Sequence, residues 1–161
     1  MKTAEPILLP IATRDGTFTA CYSARGLAGL EFPSGKKPRV AKTVSAQTQL
    51  WHQTTARALK AALAGRPARS LPPLDLSAGT PFQQRVWKAL LKLAGGQTRS
   101  YGELARLLGK PGAARAVGGA CGANPIPVLV PCHRVLAANR KLGGFSGGLQ
   151  WKRLLLEREG V

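Results

Sequence analysis

Residues 100–120 read SYGELARLLGKPGAARAVGGA, and this stretch decides the fold of the second half of the chain. Ser100 followed by Glu103 is a capping-box pattern that opens a short helix with leucines on one side. The GKPG turn at 109–112 ends that helix, and residues 113–120 form another. Two short helices across a tight turn predict a helix-turn-helix, although any small helical domain can contain such a pair.

The second helix of this pair has one long side chain, Arg115, among alanines, glycines and a valine. A helical glycine costs about 0.5–1 kcal/mol relative to alanine, so this composition needs a compensating reason. One explanation is close packing of helices in a small core. The other is close approach to DNA, because a helix about 10–12 Å across enters a minor groove about 6 Å wide only when its side chains are small. Arg115 would then be a probe that enters the base stack.

The first half predicts an antiparallel meander followed by a helix. Alternating apolar residues indicate strands at 7–12, 17–22 and 27–32, and helical spacing follows from residue 46 to 62. Residues 70–77 form an extended connector, and the composition changes near Gly79. The predicted fold class is therefore α+β, with an N-terminal α/β domain and linker at 1–78 and a mainly helical domain at 79–161.

A helix is expected to open the C-terminal domain. Thr80, Pro81 and Gln83 form a second capping box with proline at the first helical position. A buried stripe is predicted to run along the helix as far as the glycine pair at 95–96. Its members are Phe82, Val86, Leu90, Leu91 and Ala94.

Charge points to a polyanionic partner. The chain has 24 Lys and Arg against 7 Asp and Glu, a formal net charge of +17. Nucleic acid is the leading candidate, an anionic membrane is disfavoured because no helix has a basic face opposite a Trp/Leu face, and a solvated basic surface is the plain alternative. The apolar runs are too short to span a bilayer, and the start of the chain lacks the features of a secretion signal. A cytoplasmic location is expected, nucleoid-associated in a bacterium or nuclear in a eukaryote.

Residues 128–136, VLVPCHRVL, carry the candidate chemistry: a Cys and a His lie side by side between two apolar runs that are expected to be strand-like. Neighbouring side chains on a strand point to opposite faces, so contact between Cys132 and His133 needs an irregular backbone, which Pro131 favours, or a bridging water. His133 and the basic surroundings would help to form a nucleophilic thiolate. An inert buried cysteine beside a surface histidine is the alternative. The three cysteines form no CxxC pair and have no histidine at metal-ligand spacing, so free thiols, no metal and no cofactor are expected.

Five motifs in order resemble the O6-alkylguanine-DNA alkyltransferases. They lie at 100–105, 114–120, 124–125, 131–135 and 143–148, and the resemblance covers residues 80–159 without gaps. It implies a ribonuclease H-like N-terminal domain and a winged helix-turn-helix C-terminal domain. Zinc-binding members use Cys and His ligands in the N-terminal half, where this chain offers only Cys21 and His52, so no zinc is expected.

The resemblance also implies the catalytic residues. Cys132 is the alkyl acceptor, His133 polarises its thiol through a water, and Glu159 orients His133. Asn124 fixes the turn between the recognition helix and the active-site loop. Tyr101 helps to rotate the target nucleotide out of the duplex and donates a proton to the departing guanine.

Further positions follow from the same motifs. Arg115 corresponds to the arginine finger that fills the vacated place in the stack, since the O6 substituent is out of reach inside the duplex. The predicted DNA-contacting residues are Arg115, Tyr101, Ala113, Ala114, Ala116 and Gly118. The predicted substrate pocket comprises Pro127, Val135, Phe145, Ser146 and Lys152. Phe145 stands where Tyr is frequent in the family, which removes a hydroxyl group from the pocket.

The implied activity is a single-turnover repair of double-stranded DNA carrying O6-alkylguanine. The thioether product has no easy leaving group, so each molecule reacts once. A monomer is expected, with cooperative binding on DNA left open. The alternatives are a helix-turn-helix regulator, which would carry more base-reading side chains than Arg115, and a cysteine hydrolase, which would turn over.

Overall fold

The N-terminal half is a three-stranded antiparallel sheet with one long helix. The computed structural model describes residues 4–161; Met1 to Thr3, the start of the predicted N-terminal domain, lie outside the described residues. The strands are β1 (Ile7–Thr13), β2 (Gly16–Ser23) and β3 (Gly26–Glu31), in the order β1-β2-β3. Helix α1 (Ala46–Leu63) follows, with Ser45 as its N-cap. The predicted meander and helix are confirmed.

Helix α1 and the connector cover the sheet. Phe18, Leu27 and Leu59 are fully buried in this half. The connector lies beside β3: the Leu27 N–H donates to the Pro73 carbonyl at 2.8 Å, and the Asp75 N–H donates to the Leu27 carbonyl at 2.7 Å. The segment predicted as a plain linker therefore adds backbone hydrogen bonds to the last strand.

The C-terminal half begins with α2 (Pro81–Leu90), whose predicted capping box is present in both directions. Its length was predicted wrongly, because Leu91 and Ala94 are exposed and Leu93 is buried instead. The Lys92 and Leu93 N–H groups donate to carbonyls three residues back. This tighter winding ends the regular helix before the glycines and turns Leu93 inward.

The predicted pair of short helices comprises α3 (Tyr101–Leu107) and α4 (Ala114–Gly122). The Ser100 hydroxyl accepts from the Glu103 N–H at 3.0 Å, as the N-cap prediction requires. Two-residue strands β4 (Arg99–Ser100) and β5 (Val135–Leu136) pair in parallel, and α5 (Leu149–Arg158) ends the fold. The apolar run before Cys132, predicted to be strand-like, is a loop instead.

Buried apolar residues from both halves form one continuous cluster. Aromatic rings join the halves: the Phe32 ring centroid lies 5.0 Å from Trp151 and 5.7 Å from Phe145. Residues 143–148, hereafter the pocket loop, pass so close to this cluster that a Cβ on Gly147 would lie 2.5 Å from Phe32. The N-terminal half thus supports the pocket loop directly. Within residues 4–161, no helix is both long and apolar enough to cross a membrane.

Candidate active site

Cys132 begins a single 3₁₀ turn, residues 132–134, immediately before β5. Only 4% of the residue is exposed. The Cys132 N–H donates to the Val130 carbonyl at 2.8 Å, and Pro131 has a φ of −82° and a ψ of 65°, outside the helical and extended regions. The irregular backbone predicted at Pro131 is therefore present.

Asn124 holds the loop that leads to the cysteine. Its side-chain amide donates to the Val130 carbonyl at 2.8 Å and its side-chain oxygen accepts from the Ile126 N–H at 3.0 Å. Within this loop Val128 has a φ of 75°, a left-handed conformation that costs a β-branched residue on the order of 1–3 kcal/mol. The Asn124 bonds help to hold this strained loop in place between α4 and Cys132.

His133, Arg134 and Glu159 form a hydrogen-bonded network that begins at the residue after Cys132. His133 is 1% exposed, and its Nε2 lies 2.8 Å from Oε1 of Glu159. The Arg134 guanidinium donates to both oxygens of Glu159, at 2.7 to 3.1 Å, and also to the Leu93 carbonyl. Nδ1 of His133 is buried and has no hydrogen-bond partner within residues 4–161.

The electrostatics of this network are uneven. Burial raises the pKa of the Cys132 thiol above its ordinary 9.0, while Asn124 and the Lys152 ammonium act in the opposite direction. Burial lowers the pKa of His133, and Glu159 partly restores it. For Glu159, burial acts to raise the pKa, but hydrogen bonds from His133 and Arg134 outweigh it and bring the pKa to about 2. At neutral pH the site therefore contains an ionised Glu159 carboxylate, a neutral His133 imidazole and a protonated Cys132 thiol.

A pocket of about 430 Å³ opens onto Cys132. Its wall brings together predicted residues from three separate segments: the first turn of α3, the middle of α4 and the pocket loop. The lining residues are Tyr101, Gly118, Cys121, Gly122, Cys132, Gly144, Phe145 and Ser146.

Three other predicted pocket residues do not line this cavity. Lys152 is fully buried, and its ammonium donates to the Val135 carbonyl at 2.7 Å and to the Gly144 carbonyl at 3.2 Å. It thereby ties β5 to the pocket loop. Pro127 and Val135 are buried outside the lining. Their predicted roles toward a substrate stay predictions.

Helix α4 has an unusual exposed face. Arg115, Gly119 and Gly122 are exposed, whereas Val117 and Ala120 are buried on the opposite face. A Cβ placed on Gly119 or Gly122 would meet no atom of residues 4–161 within 4 Å. Close helix packing therefore does not explain these two glycines. Of the other predicted DNA-contacting residues, Ala116 is exposed, and Ala113, Ala114 and Gly118 are partly buried.

Two site residues were missed from the sequence. Arg134 belongs to a quoted motif, but its role requires Leu93 and Glu159, which are distant in sequence, to be close in space. Cys121 lines the pocket, and its three-residue spacing from Gly118 on α4 was a usable signal. Burial, with the neighbouring Cys132, raises its pKa to about 12, so Cys121 is a poor nucleophile. Among residues 4–161 no group of three or more His, Cys, Asp or Glu side chains is placed to hold a metal ion.

The site therefore combines two buried thiols in one pocket wall, a histidine–carboxylate pair that begins next to Cys132 in the chain, and a helix with a smooth exposed face. A family model described as the DNA-binding domain of 6-O-methylguanine DNA methyltransferase matches residues 81–161. The chain belongs to this family, as the motifs predicted.

Curated relatives and solved structures agree with this placement. The methylated-DNA–protein-cysteine methyltransferase of Mycobacterium tuberculosis is 64% identical over 86 residues, which is 53% of this chain and 52% of the relative. The protein of that name from Salmonella typhimurium is 58% identical over 82 residues, 51% and 48% of the two chains. The chain thus spans about half the length of the curated relatives it matches.

Structural similarity extends further along the chain. Mycobacterium tuberculosis OGT in complex with DNA has a TM-score of 0.74 and 43% identity, covering 93% of this chain and 90% of that one. O6-methylguanine-DNA methyltransferase from the archaeon Pyrococcus kodakaraensis has a TM-score of 0.66 and 25% identity, covering 97% and 99%. The N-terminal half, which the family model does not reach, is therefore included in the similarity.

Proposed function

We propose that this chain repairs duplex DNA by moving an alkyl group from O6 of guanine onto the sulfur of Cys132. The observation that carries the proposal is the position of Cys132 in the pocket wall, directly before His133 in the chain, with His133 hydrogen-bonded to Glu159. In the reaction the bond between O6 and the alkyl carbon breaks, a carbon–sulfur bond forms, and the guanine takes up a proton. The stable thioether makes the protein a single-turnover methyltransferase.

His133 removes the thiol proton through a bridging water. The free, buried Nδ1 supports this role, because it is available as an acceptor while Nε2 is committed to Glu159. The ionised Glu159 then stabilises the imidazolium that forms. Lys152 favours the thiolate by its charge and keeps the pocket loop against β5.

The flipped guanine enters the pocket between α4 and the pocket loop. Tyr101 promotes rotation of the nucleotide and donates the proton to the leaving base, and its position in the wall supports this role. The Ser146 N–H binds O6, the Cys132 and Val135 carbonyls accept from the guanine amine, and Pro127 and Phe145 bound the alkyl group. Asn124 keeps α4 and the thiol in register.

DNA binds on the smooth face of α4 through the minor groove. Gly118 and the alanines at 113, 114 and 116 permit close approach, and Arg115 fills the place of the extruded base. The net charge of +17 supports a polyanionic partner. We assign α3 and α4 to a winged helix-turn-helix domain at 79–161, and residues 1–78 to a ribonuclease H-like domain. We expect a monomer in the cytoplasm.

The test is incubation of the protein with a duplex oligonucleotide containing one O6-methylguanine. Mass spectrometry should find one added methyl group, on the peptide that contains Cys132, and no second turnover. Multiple turnovers without a stable adduct would indicate a hydrolase. DNA binding with an unmodified protein would indicate a regulator. Either result contradicts the proposal.

A further inference from the structure

The N-terminal half contacts the end of α5 at the residue that precedes Glu159. Arg158 is the last residue of that helix, and Glu159 follows it directly as the C-cap. The Arg158 guanidinium makes two hydrogen bonds with the Asp15 carboxylate, both 2.8 Å, and a third with the Leu63 carbonyl at 2.7 Å. The side chains of Asp15 and Arg158 are 14% and 20% exposed. This two-pronged geometry is among the strong forms of ion pair, because it fixes orientation as well as distance.

Both N-terminal partners are themselves held in place. Asp15 lies in the turn between β1 and β2, where the Thr13 hydroxyl accepts from the Asp15 N–H at 3.1 Å and donates to the Gly16 carbonyl at 2.7 Å. Leu63 is the last residue of α1. A Cβ on Gly65, whose φ is 74°, would lie 2.0 Å from the Arg158 carbonyl oxygen. The backbone after α1 thus abuts the end of α5 as only glycine permits.

We infer that the Asp15–Arg158 ion pair positions Glu159, and through it His133, so that the N-terminal half sets the activity of the thiol. Asp15 and Arg158 are positioning residues, since neither lines the pocket. The inference rests on the proposed function for its effect on alkyl transfer, although its effect on His133 is independent of that function. It gives the N-terminal half a task in catalysis.

The charged groups that act on Asp15 and on His133 can be named. Asp15 faces Arg158 from α5 and Arg14 from its own turn. His133 is influenced by Glu159, by Arg134 from its own turn and by Lys152 from α5. Of these, Glu159 alone raises the pKa of His133. Displacement of Glu159 should therefore lower that pKa further, whereas a general loosening of the fold would expose His133 and move its pKa toward the ordinary 6.5.

The test compares Asp15→Asn with a matched control, Asp75→Asn. Asp75 is likewise a hydrogen-bonded carboxylate of the N-terminal half, but it accepts from the Ser23 and Ser77 hydroxyl groups and not from a residue of α5. NMR titration of the two histidines and single-turnover transfer rates across pH are measured on the full chain. For Asp15→Asn we expect a lower His133 pKa, an acid limb of the rate profile shifted to lower pH, and a rate reduced about 10-fold, as for removal of a group that orients a site residue. Asp75→Asn should leave these quantities unchanged.

Arg158→Lys provides a second variant if Asp15→Asn does not fold. Lysine keeps the positive charge but cannot make the bidentate contact of the guanidinium with Asp15. We therefore expect a smaller decrease in the His133 pKa and in the transfer rate. An unchanged His133 pKa in the folded variants would overturn the inference, as would equal effects of Asp15→Asn and Asp75→Asn. If the parent protein transfers no alkyl group, the proposed function fails, while the NMR comparison still decides whether Asp15 positions His133.

Discussion

The two halves of the molecule each contain one histidine, and the two histidines differ in the hydrogen bonding of their ring nitrogens. In the N-terminal half His52 uses both ring nitrogens: Nδ1 lies 2.8 Å from the Tyr22 hydroxyl and Nε2 lies 3.1 Å from the Pro10 carbonyl. In the C-terminal half His133 has Nε2 bonded to Glu159, and its Nδ1 has no hydrogen-bond partner among the described residues. Burial lowers the pKa of both. His52, with both nitrogens paired, joins α1 to the sheet. The unpaired, buried Nδ1 of His133 costs folding free energy but remains available to accept a proton.

The same contrast holds for the cysteines. Cys21 lies in a strand of the N-terminal sheet, and Cys132 lies at the pocket with Asn124 and Lys152 acting on its thiol. If reactivity belongs to the C-terminal half alone, Cys132→Ser should abolish transfer from O6-methylguanine DNA, because a serine hydroxyl is a far weaker nucleophile than a thiolate. Cys21→Ser should transfer one methyl group as the parent does. Formation of a methyl adduct by Cys132→Ser, measured by mass spectrometry, would show that Cys132 is not the acceptor.

The second largest effect should come from the partners of the two histidines. Glu159→Gln removes the charge that stabilises imidazolium, so we expect single-turnover transfer to slow about 10- to 100-fold and the His133 pKa to fall. Tyr22→Phe removes the partner of His52 and should cost about 1 kcal/mol of stability with no change in rate. A rate loss in Tyr22→Phe equal to that in Glu159→Gln would show that the contrast between the histidines has no functional meaning.

Glu159 also gives the fold an acid dependence. Its pKa in the folded protein is about 2, below the ordinary 4.5. The folded state therefore binds fewer protons than the unfolded chain, so the stabilisation is fully present above pH 4.5 and is lost as the pH falls toward 2. Denaturant unfolding between pH 6 and 2 should show a steeper loss of stability in the parent than in Glu159→Gln. Parallel curves would contradict the assigned network.

The sequence predicted much of the fold, and the accuracy of the prediction differs along the chain. The meander and the caps at Thr80 and Ser100 depend on local patterns, and local patterns predicted them. The end of α2 was mispredicted because the apolar spacing continues to Ala94, whereas the structure buries Leu93, whose carbonyl accepts from Arg134. The contacts of Arg134 and Arg158 were also missed, because each joins residues more than 20 positions apart and no periodicity records such a contact.

Most residues of the candidate site were predicted from the sequence motifs and not from any geometric argument. Cys132 and His133 are adjacent in sequence, but a Cys-His dipeptide alone does not indicate a reactive thiol. The 3₁₀ turn and the pocket at Cys132 are the structural features that do. The composition of α4 left two explanations open. In the described part of the chain no atom lies within 4 Å of a Cβ on Gly119 or Gly122, which excludes close packing as the reason for these two glycines. Side-chain burial, which sequence does not give, made that distinction.

A smaller effect is expected at Arg115, the one long side chain on the helix face. Arg115→Ala should slow repair in duplex DNA by about 10-fold or more, because extrusion of a base costs a few kcal/mol and the finger offsets part of it. Reaction with free O6-benzylguanine, which needs no extrusion, should be unchanged. Arg57→Ala, which removes a cation from α1 in the N-terminal half, is the matched control and should leave both rates unchanged. Equal slowing of both reactions by Arg115→Ala would remove the finger role.

A single added methyl group on α4 should have a modest effect on both stability and DNA binding. Gly119→Ala adds a Cβ that meets no protein atom, so the helix should gain about 0.5–1 kcal/mol of stability from alanine's better propensity. If this face of α4 binds in the minor groove, as proposed, the same methyl group lies between the helix and the DNA and should weaken duplex binding. Thermal unfolding and a binding titration at fixed salt measure the two quantities. A variant that is more stable and binds duplex DNA as tightly as the parent would show that the glycines of α4 are not there for close approach.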